Sequence, residues 1–416
     1  MNITQLVDNF KSGLVVPDGD AVAERYVLDE LIRRGGYGAV FRGHRVSDAS
    51  QEYALKFYFQ TGIRGQEGES RVLARLQSHP GVVKVHGRFS GRNLDFLVME
   101  LAKKSLYDDI ADRRKVQGAL AHYTVPEILD IGRQIAQTLQ YVHDAAGLAF
   151  HGDINPKNVL LFSGRYLGAG KFDTLYKLAD FGLALSKDSI TALEKRHSLT
   201  STGKQRGTSG YIAPEWRDPQ LKKDGRVDVY AFGVLLQELL IGRSIEDQND
   251  HDKHVLRPAE LGIAVPAALE KVIYNCFAGD REQRPKNFSE VLTILESITP
   301  GSLVLEELAA RIKSPVYTVK QLQDLQVLLH RGECSFTDKE CDKAYALLGS
   351  VGKGLVTSVE KVLDGYLQEL DGKVPEPKRR DDILVDVKSI KEVAATFRLL
   401  FPKLVANKEL KSLYEV

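Results

Sequence analysis

The stretch HGDINPKN, residues 151–158, places a dense set of polar side chains between two apolar segments, GLAF and VLLF. A second segment, LADFGLAL, carries Asp180 at the end of an apolar run. The carboxylate of Asp180 and the amide of Asn158 are hard oxygen ligands of the kind that Mg²⁺ prefers. The two segments therefore predict a polar site, held by short strands, that can bind a metal ion.

The residues around these segments change from strand-like to helical along the chain. Strands are predicted for YVLDELI, YALKFYF, VVKVHGRF and LDFLVMEL, and one helix for GESRVLARLQ. From about residue 125, apolar residues recur every three or four positions, which predicts an amphipathic helix. These residues are Ile128, Ile131, Ile135, Leu139 and Val142. This order predicts an α+β fold with a small β-rich lobe followed by a larger α-rich lobe.

The character of the chain changes again near residue 300. Leucines at helical spacing predict a further helix: Leu322, Leu325, Leu328 and Leu329. In FTDKE, Thr337 and Glu340 form a capping-box pattern. A charged, proline-containing linker is predicted at 371–382, before a last helix in SIKEVAATFRLLF. We expect three parts: an N-terminal extension at 1–25, a main domain at 26–300 and an all-α region at 301–416.

Composition narrows the class of protein. The chain has 416 residues, of which 43% are hydrophobic and 27% charged, with a net charge of +1. A net charge this close to zero gives no reason to expect electrostatic binding to nucleic acid or to an anionic membrane. No stretch reaches the ~18 apolar residues of a membrane span, and the N-terminus lacks the pattern of a signal peptide. Three cysteines without a CxxC motif favour a reducing compartment, so a cytoplasmic location is expected.

Two patterns that precede HGDINPKN in the chain are each, taken alone, weak evidence for nucleotide binding. Glycines 35, 36 and 38 in RRGGYGAV let backbone N–H groups approach a polyphosphate. Lys56 lies in the predicted strand YALKFYF, where a lone lysine is ordinarily a solvated surface residue. Their order along the chain, ahead of HGDINPKN and DFG, is much more specific than either pattern.

Together these motifs resemble the eukaryotic-type (Hanks-type) protein kinase family over roughly residues 26–295. The resemblance is to serine/threonine-type members that lack the arginine before the catalytic aspartate. It implies the bilobal protein kinase fold, with the kinase domain at 26–300. It also implies that ATP and Mg²⁺ are the cofactors, and that the γ-phosphate passes to Ser or Thr hydroxyls of protein substrates, including the chain itself.

The resemblance also assigns roles to individual side chains. Asp153 matches the catalytic base, Lys56 the lysine on the α/β-phosphates, and Glu69 its helix partner. Asn158 and Asp180 match the metal ligands. The resemblance implies that the nucleotide is bound by three segments: the glycine-rich segment, the strand that carries Lys56, and the hinge at 99–102 that contacts adenine. The residues are Arg33 at the first glycine's position, Gly35, Gly36, Gly38, Val40, Ala54, Lys56, Met99, Glu100, Leu101 and Ala102.

The catalytic loop departs from the family pattern at two positions. Gly152 replaces the arginine that usually holds an activation-segment phosphate, so activity is expected to depend weakly on such a phosphate. Asn155 replaces a lysine that touches the γ-phosphate. One hypothesis is that Lys157 supplies this charge, and the alternative is that Lys157 points to solvent. Thr208 in GTSGY is typical of serine/threonine members.

Four further residues are interpreted as structural. Glu215, Asp228 and Arg284 match buried scaffold ions of the family, and His151 is interpreted as a packing residue.

Two other functions stay open on the sequence alone. Arg33 and Asn155 would suit an ATP-binding pseudokinase or scaffold. A kinase-fold transferase could instead act on a small molecule or transfer a nucleotide, although GTSGYIAPE, residues 207–215, argues against a small molecule. The partners expected are protein substrates, with no nucleic acid and no membrane. The region 301–416 could bind a protein partner or regulate the kinase domain, or simply pack on it.

Overall fold

The computed structural model describes residues 7–8, 10–16, 25–35, 38–59, 64–90, 95–118, 122–144, 148–168, 171–186, 208–216, 221, 223–242, 265–312, 319–333, 337–344, 346–351 and 396. The chain divides into two compact units, Met1–Glu296 and Ser297–Val416.

The first unit begins with a six-stranded antiparallel sheet in the order β1-β2-β3-β4-β6-β5. Its strands are β1 (Leu14–Val16), β2 (Tyr26–Arg34), β3 (Gly38–Arg45), β4 (Asp48–Tyr58), β5 (Val85–Ser90) and β6 (Asp95–Glu100). Helix α1 (Arg64–Leu76) lies between β4 and β5 in sequence. The four predicted strands and the predicted helix are confirmed.

One face of this sheet is built from aromatic side chains. Phe41, Phe57 and Phe96 are buried, and the rings of Phe57 and Phe96 stack with centroids 4.6 Å apart. Because side chains alternate along a strand, Lys56 and Tyr58 on β4 point to the opposite face from Phe57. The sheet therefore separates an apolar core from the face that carries the predicted phosphate-binding lysine.

Helices dominate the rest of the first unit. They are α2 (Leu106–Gln117), α3 (Val125–Asp144), α4 (Arg226–Ile241), α5 (Ala267–Cys276) and α6 (Phe288–Ser297). The five apolar residues predicted to line one face of α3 are all buried. Helix α4 is buried nearly all round, as expected of a core helix. The predicted order, strands first and helices later, is confirmed.

Short strands hold the polar loop 151–158. Strand β8 (Leu148–Phe150) ends where the loop begins, and β9 (Val159–Gly168) starts where it ends. Strand β9 pairs with β10 (Lys171–Leu178) in a long hairpin and with β7 (Lys104–Ser105), while β11 (Leu185–Ser186) pairs with β8. Sequence patterns did not predict the long hairpin.

A buried ion pair joins distant parts of the helical region. Arg284 donates from Nη1 and Nη2 to the two carboxylate oxygens of Glu215, at 2.7 and 3.0 Å. Both side chains are almost fully buried. A bidentate pair of this kind is consistent with the scaffold role expected for these residues.

The second unit is helical where it is described. It contains α7 (Pro300–Arg311), α8 (Val319–Glu333) and helical residues 338–344 and 346–351. The four leucines predicted to share a face of α8 are buried. The predicted linker at 371–382 lies outside the described residues, as does the predicted last helix apart from Thr396, which is helical.

Side-chain caps fix two helix starts in this unit. Thr337 donates from its backbone N and its hydroxyl to Glu340 Oε2 at 2.8 and 2.9 Å, which confirms the predicted capping box. Glu340 also accepts a hydrogen bond from Thr299, the N-cap of α7. One carboxylate thus serves the starts of two helices.

Among the described helices, none by itself has the length and apolar composition needed to cross a membrane. The bent pair Phe288–Ser297 and Gly301–Arg311 meets that test only when its members are taken together, by length and composition.

Candidate active site

The loop 151–158 is anchored to helix α4 by one buried carboxylate. Asp228 is 1% exposed and accepts hydrogen bonds from the backbone N–H of His151 at 2.6 Å and of Gly152 at 2.9 Å. It also contacts His143 Nε2 at 2.8 Å. Burial alone would raise the pKa of Asp228, but the hydrogen bond and charge of His143 outweigh it and lower the pKa. The loop is therefore held by an ionised, fully engaged acceptor.

Backbone geometry explains the glycine before Asp153. Gly152 has a φ of +85°, which is strained for any residue with a side chain. A Cβ atom there would lie 3.3 Å from the carbonyl oxygen of Leu183. In this loop conformation an arginine is therefore unfavourable, whatever its effect on a phosphate.

Uncharged donors surround the carboxylate of Asp153. Thr208 donates to Oδ1 from its backbone N at 3.0 Å and from its hydroxyl at 2.8 Å. Asn155 Nδ2 also reaches Oδ1, at 3.1 Å, and Asn158 Nδ2 reaches Oδ2 at 2.9 Å. The predicted catalytic base is thus fixed from three positions of the chain.

Asn155 lies inside this network and is 1% exposed. Its Nδ2 also donates to the Thr208 hydroxyl at 3.0 Å, and its Oδ1 accepts from the backbone N of Lys157 at 2.9 Å. The ammonium of Lys157 lies over the ring of Tyr107, 4.9 Å from its centroid. Whether Lys157 supplies charge during catalysis stays a prediction.

Lys56 lies between two carboxylates on the sheet side of the site. Its Nζ is 2.8 Å from Glu69 Oε1 on α1 and 2.9 Å from Asp180 Oδ1. Burial would lower the pKa of Lys56, but Asp180 and Glu69 together raise it well above its ordinary value. Its partial burial would likewise raise the pKa of Asp180, but the charge of Lys56 lowers it. Lys56 and Asp180 are therefore both charged at neutral pH.

Asp180 has a backbone conformation that few residues with side chains adopt. Its φ is 62°, in the left-handed region, and its carboxylate remains 44% exposed. Such a conformation costs about 1–3 kcal/mol and persists only where the surrounding contacts determine it. The contact with Lys56 holds the carboxylate in place while leaving it accessible.

The donor set suits a divalent cation with a nucleotide. Asn158 uses Nδ2 toward Asp153, which leaves its amide oxygen as a ligand, and Asp180 contacts Lys56 through Oδ1. An amide oxygen and a carboxylate are ligands that Mg²⁺ accepts.

The remaining nucleotide-binding candidates lie along the same strands. Val40 is paired with Lys56, and Ala54 with Met99. Gly35 donates to the carbonyl of Gly38 at 2.8 Å. Glu100 accepts from Lys177 at 2.6 Å, which ties the hinge to β10. Gly36 lies outside the described residues.

Arg33 makes a contact that sequence patterns did not predict. From the end of β2 its Nη1 donates to the backbone carbonyl of Lys157 at 3.1 Å, and its Nη2 lies 3.5 Å from Ser105 Oγ. Ser105 is the N-cap of α2. The residue that replaces the first glycine therefore bridges the sheet to the catalytic loop.

A small pocket opens beside Asp153 on the side of segment 208–216. Its lining combines the base with residues of this segment and of α4: Gly152, Ile154, Thr208, Tyr211, Ile212 and Trp216 are among them.

A protein-family model described as "Protein kinase domain" matches residues 26–294. This chain belongs to the protein kinase family. The predicted Hanks-type resemblance is thereby confirmed.

Individual relatives resemble the chain over part of their length. A protein of Clostridium acetobutylicum named "Probable serine/threonine-protein kinase" is 25% identical over 321 residues, which are 71% of this chain and 43% of the relative. "Serine/threonine-protein kinase A" of Synechocystis is 27% identical over 300 residues, 67% of this chain and 54% of the relative. The chain thus spans about half the length of these relatives.

The protein kinase fold is also found among solved structures. The crystal structure of the PF14_0431 kinase domain matches with a TM-score of 0.50 and 19% identity, covering 69% of this chain and 98% of that domain. At this identity the match shows the fold alone. The predicted bilobal fold is confirmed, while the roles of the individual site residues stay predictions.

Asp228→Asn should destabilise the protein and change its response to acid. An amide offers one acceptor oxygen to two backbone N–H groups, so the free energy of unfolding should fall by about 3 kcal/mol at pH 7. Because the folded-state pKa of Asp228 is lowered, its contribution is present above the unfolded pKa and is lost as pH falls through the folded one. Wild-type stability should therefore decline more steeply below about pH 4 than that of the variant.

Urea unfolding from pH 7 to pH 3 measures both effects. The exposed Asp144, next to His143, provides the matched control Asp144→Asn. Equal acid slopes for wild type and Asp228→Asn would contradict the anchoring role of this carboxylate.

Proposed function

We propose that this chain is a serine/threonine protein kinase that uses ATP and Mg²⁺ and phosphorylates protein substrates, itself included. One observation carries the proposal: Lys56 pairs with Glu69 and Asp180, Asn158 donates to Asp153, and the backbone N of Ala179, next to Asp180, donates to the carbonyl of Asn158. Positioning and electrostatic stabilisation are the main protein contributions to phosphoryl transfer, and this arrangement provides both.

ATP with Mg²⁺ would supply the phosphoryl group and neutralise its developing charge. Asn158 and Asp180 would hold the metal, and Lys56 would bind phosphate oxygens. Glu69 keeps the ammonium of Lys56 directed into the cleft through its contact of 2.8 Å. These roles need charged groups that move little, which is consistent with the burial of Glu69.

Asp153 would orient the acceptor hydroxyl and accept its proton. Thr208 links this base to segment 208–216, because both its backbone N and its hydroxyl donate to Oδ1. Segment 208–216 and the base therefore keep a fixed relation, which supports transfer to a hydroxyl that this segment presents to Asp153. Thr208 is also the residue that favours serine and threonine as acceptors.

One observation favours a second candidate, a nucleotide-binding protein without transferase activity. Asn155 occupies the position of a lysine, and the ammonium of Lys157 lies against Tyr107. The donors described on Asp153 carry no charge. A charge deficit on this side of the cleft would slow the chemistry and leave nucleotide binding intact.

Transfer from labelled ATP separates these functions. Purified protein with Mg²⁺ and ATP labelled in the γ-phosphate should label casein or itself on Ser or Thr. Asp180→Asn should reduce the rate by about 10³-fold, because it weakens a metal ligand. Asp48→Asn, a change at the exposed first residue of β4, serves as the matched control.

Each outcome identifies one function. Label from the α-phosphate would indicate nucleotide transfer, and phosphotyrosine would show that the acceptor preference is wrong. Nucleotide binding without any transfer would support the second candidate. Full activity in folded Asp180→Asn would contradict the kinase mechanism.

Arg33 should slow nucleotide release, because its contact with the Lys157 carbonyl closes one side of the cleft. Losing one hydrogen bond from a charged donor, about 1.5 kcal/mol, should speed release by about tenfold in Arg33→Ala. Displacement of a fluorescent ATP analogue in stopped flow measures this rate. Arg34→Ala is the matched control, since Arg34 pairs with Asp8 on the protein surface. Unchanged release in Arg33→Ala would show that the bridge does not restrain the nucleotide.

A further inference from the structure

Tyr58 shares a strand face with Lys56 and is 6% exposed. The two residues are two positions apart on β4, so both side chains point toward α1. The ring of Tyr58 lies 5.4 Å from the ammonium of Lys56. An aromatic residue in an apolar strand ordinarily serves only packing, but here its polar end reaches a charged group.

The hydroxyl of Tyr58 donates to Glu69 Oε2 at 2.8 Å. Lys56 Nζ contacts both oxygens of the same carboxylate, Oε1 at 2.8 Å and Oε2 at 3.1 Å. Glu69 therefore has two donors from one strand, one charged and one neutral. A carboxylate held by two donors has one preferred orientation, whereas a single flexible lysine would leave it free to rotate.

The protonation state of Tyr58 suits a permanent donor. Burial raises the pKa of its phenol strongly, and the adjacent Glu69 adds to the effect against the opposing influence of Lys56. The phenol therefore stays protonated at any pH at which the protein works, and Glu69 keeps this hydrogen bond.

Lys56 also has a second carboxylate within reach. Asp180 Oδ1 lies at 2.9 Å from its ammonium, so the lysine is attracted in two directions. Tyr58 bonds to only one of the two carboxylates, that of Glu69. The Tyr58 hydroxyl therefore fixes the carboxylate of Glu69 on α1 and leaves that of Asp180 accessible.

We propose that Tyr58 is a positioning residue for phosphoryl transfer, acting through Glu69 to hold Lys56 in its working orientation. The inference rests on the proposed kinase function. It makes Tyr58, Glu69 and Lys56 one unit, in which the phenol never touches substrate. Removing the Tyr58 hydroxyl should then lower the rate of phosphoryl transfer only in proteins in which the Glu69 carboxylate is present to orient Lys56.

A double-mutant cycle tests this unit. Wild type, Tyr58→Phe, Glu69→Gln and the double variant are compared by kcat/KM for ATP. Tyr58→Phe should lower kcat/KM by about tenfold in the wild-type background and have little effect in Glu69→Gln. Tyr53→Phe provides the matched control, since Tyr53 is a buried tyrosine on the same strand, and it should stay near wild type.

The results separate positioning from packing and from the function itself. Equal losses in both backgrounds, or no loss in Tyr58→Phe, would overturn the proposal. If wild type transfers no phosphate, the proposed function fails, and the same cycle is measured as affinity for a fluorescent ATP analogue. Non-additive affinities would then support the unit, and additive ones would overturn it.

Discussion

The carboxylate of Asp228 is the interaction on which the site depends. It is charged and buried in α4, a helix that is itself buried nearly all round, and it accepts the N–H groups of His151 and Gly152. A buried charge is tolerated only when donors surround it, so the loop and the helix must form together. Because Asp153 follows Gly152 directly, the position of the base is set by the core of the molecule. The left-handed conformation of Gly152 is the backbone requirement for this arrangement.

The two sides of the cleft differ in the charge of the groups that they present. On the sheet side, Lys56 is a cation between the carboxylates of Glu69 and Asp180. On the loop side, the described donors to Asp153 are neutral amides and a hydroxyl. A metal ion and phosphates would therefore find their charge partners on the sheet side and at Asp180. The loop side would serve mainly to orient the acceptor hydroxyl.

Local patterns in the sequence predicted the elements and the chemistry, and missed what depends on distant contacts. The spacing on α3 and the capping box at Thr337 involve neighbours within one helix, so they could be recognised without a fold. The strand Leu14–Val16 has too few residues to stand out, yet it pairs with β2. Arg33 and Lys157 are 124 positions apart, and Tyr58 looks like any aromatic residue of a strand. Such contacts arise only when the fold brings the segments together, so no local pattern could indicate them.

If the site is already organised for a nucleotide with Mg²⁺, ligand binding should change it little. A crystal structure of the full chain with Mg²⁺ and a non-hydrolysable ATP analogue would show this. We expect a metal ion bound by the amide oxygen of Asn158 and the carboxylate of Asp180, with Lys56 on a phosphate oxygen. His151 and Gly152 should remain bonded to Asp228. A nucleotide bound without metal at Asn158 and Asp180, or a loop released from Asp228, would show that the site is not organised in this way.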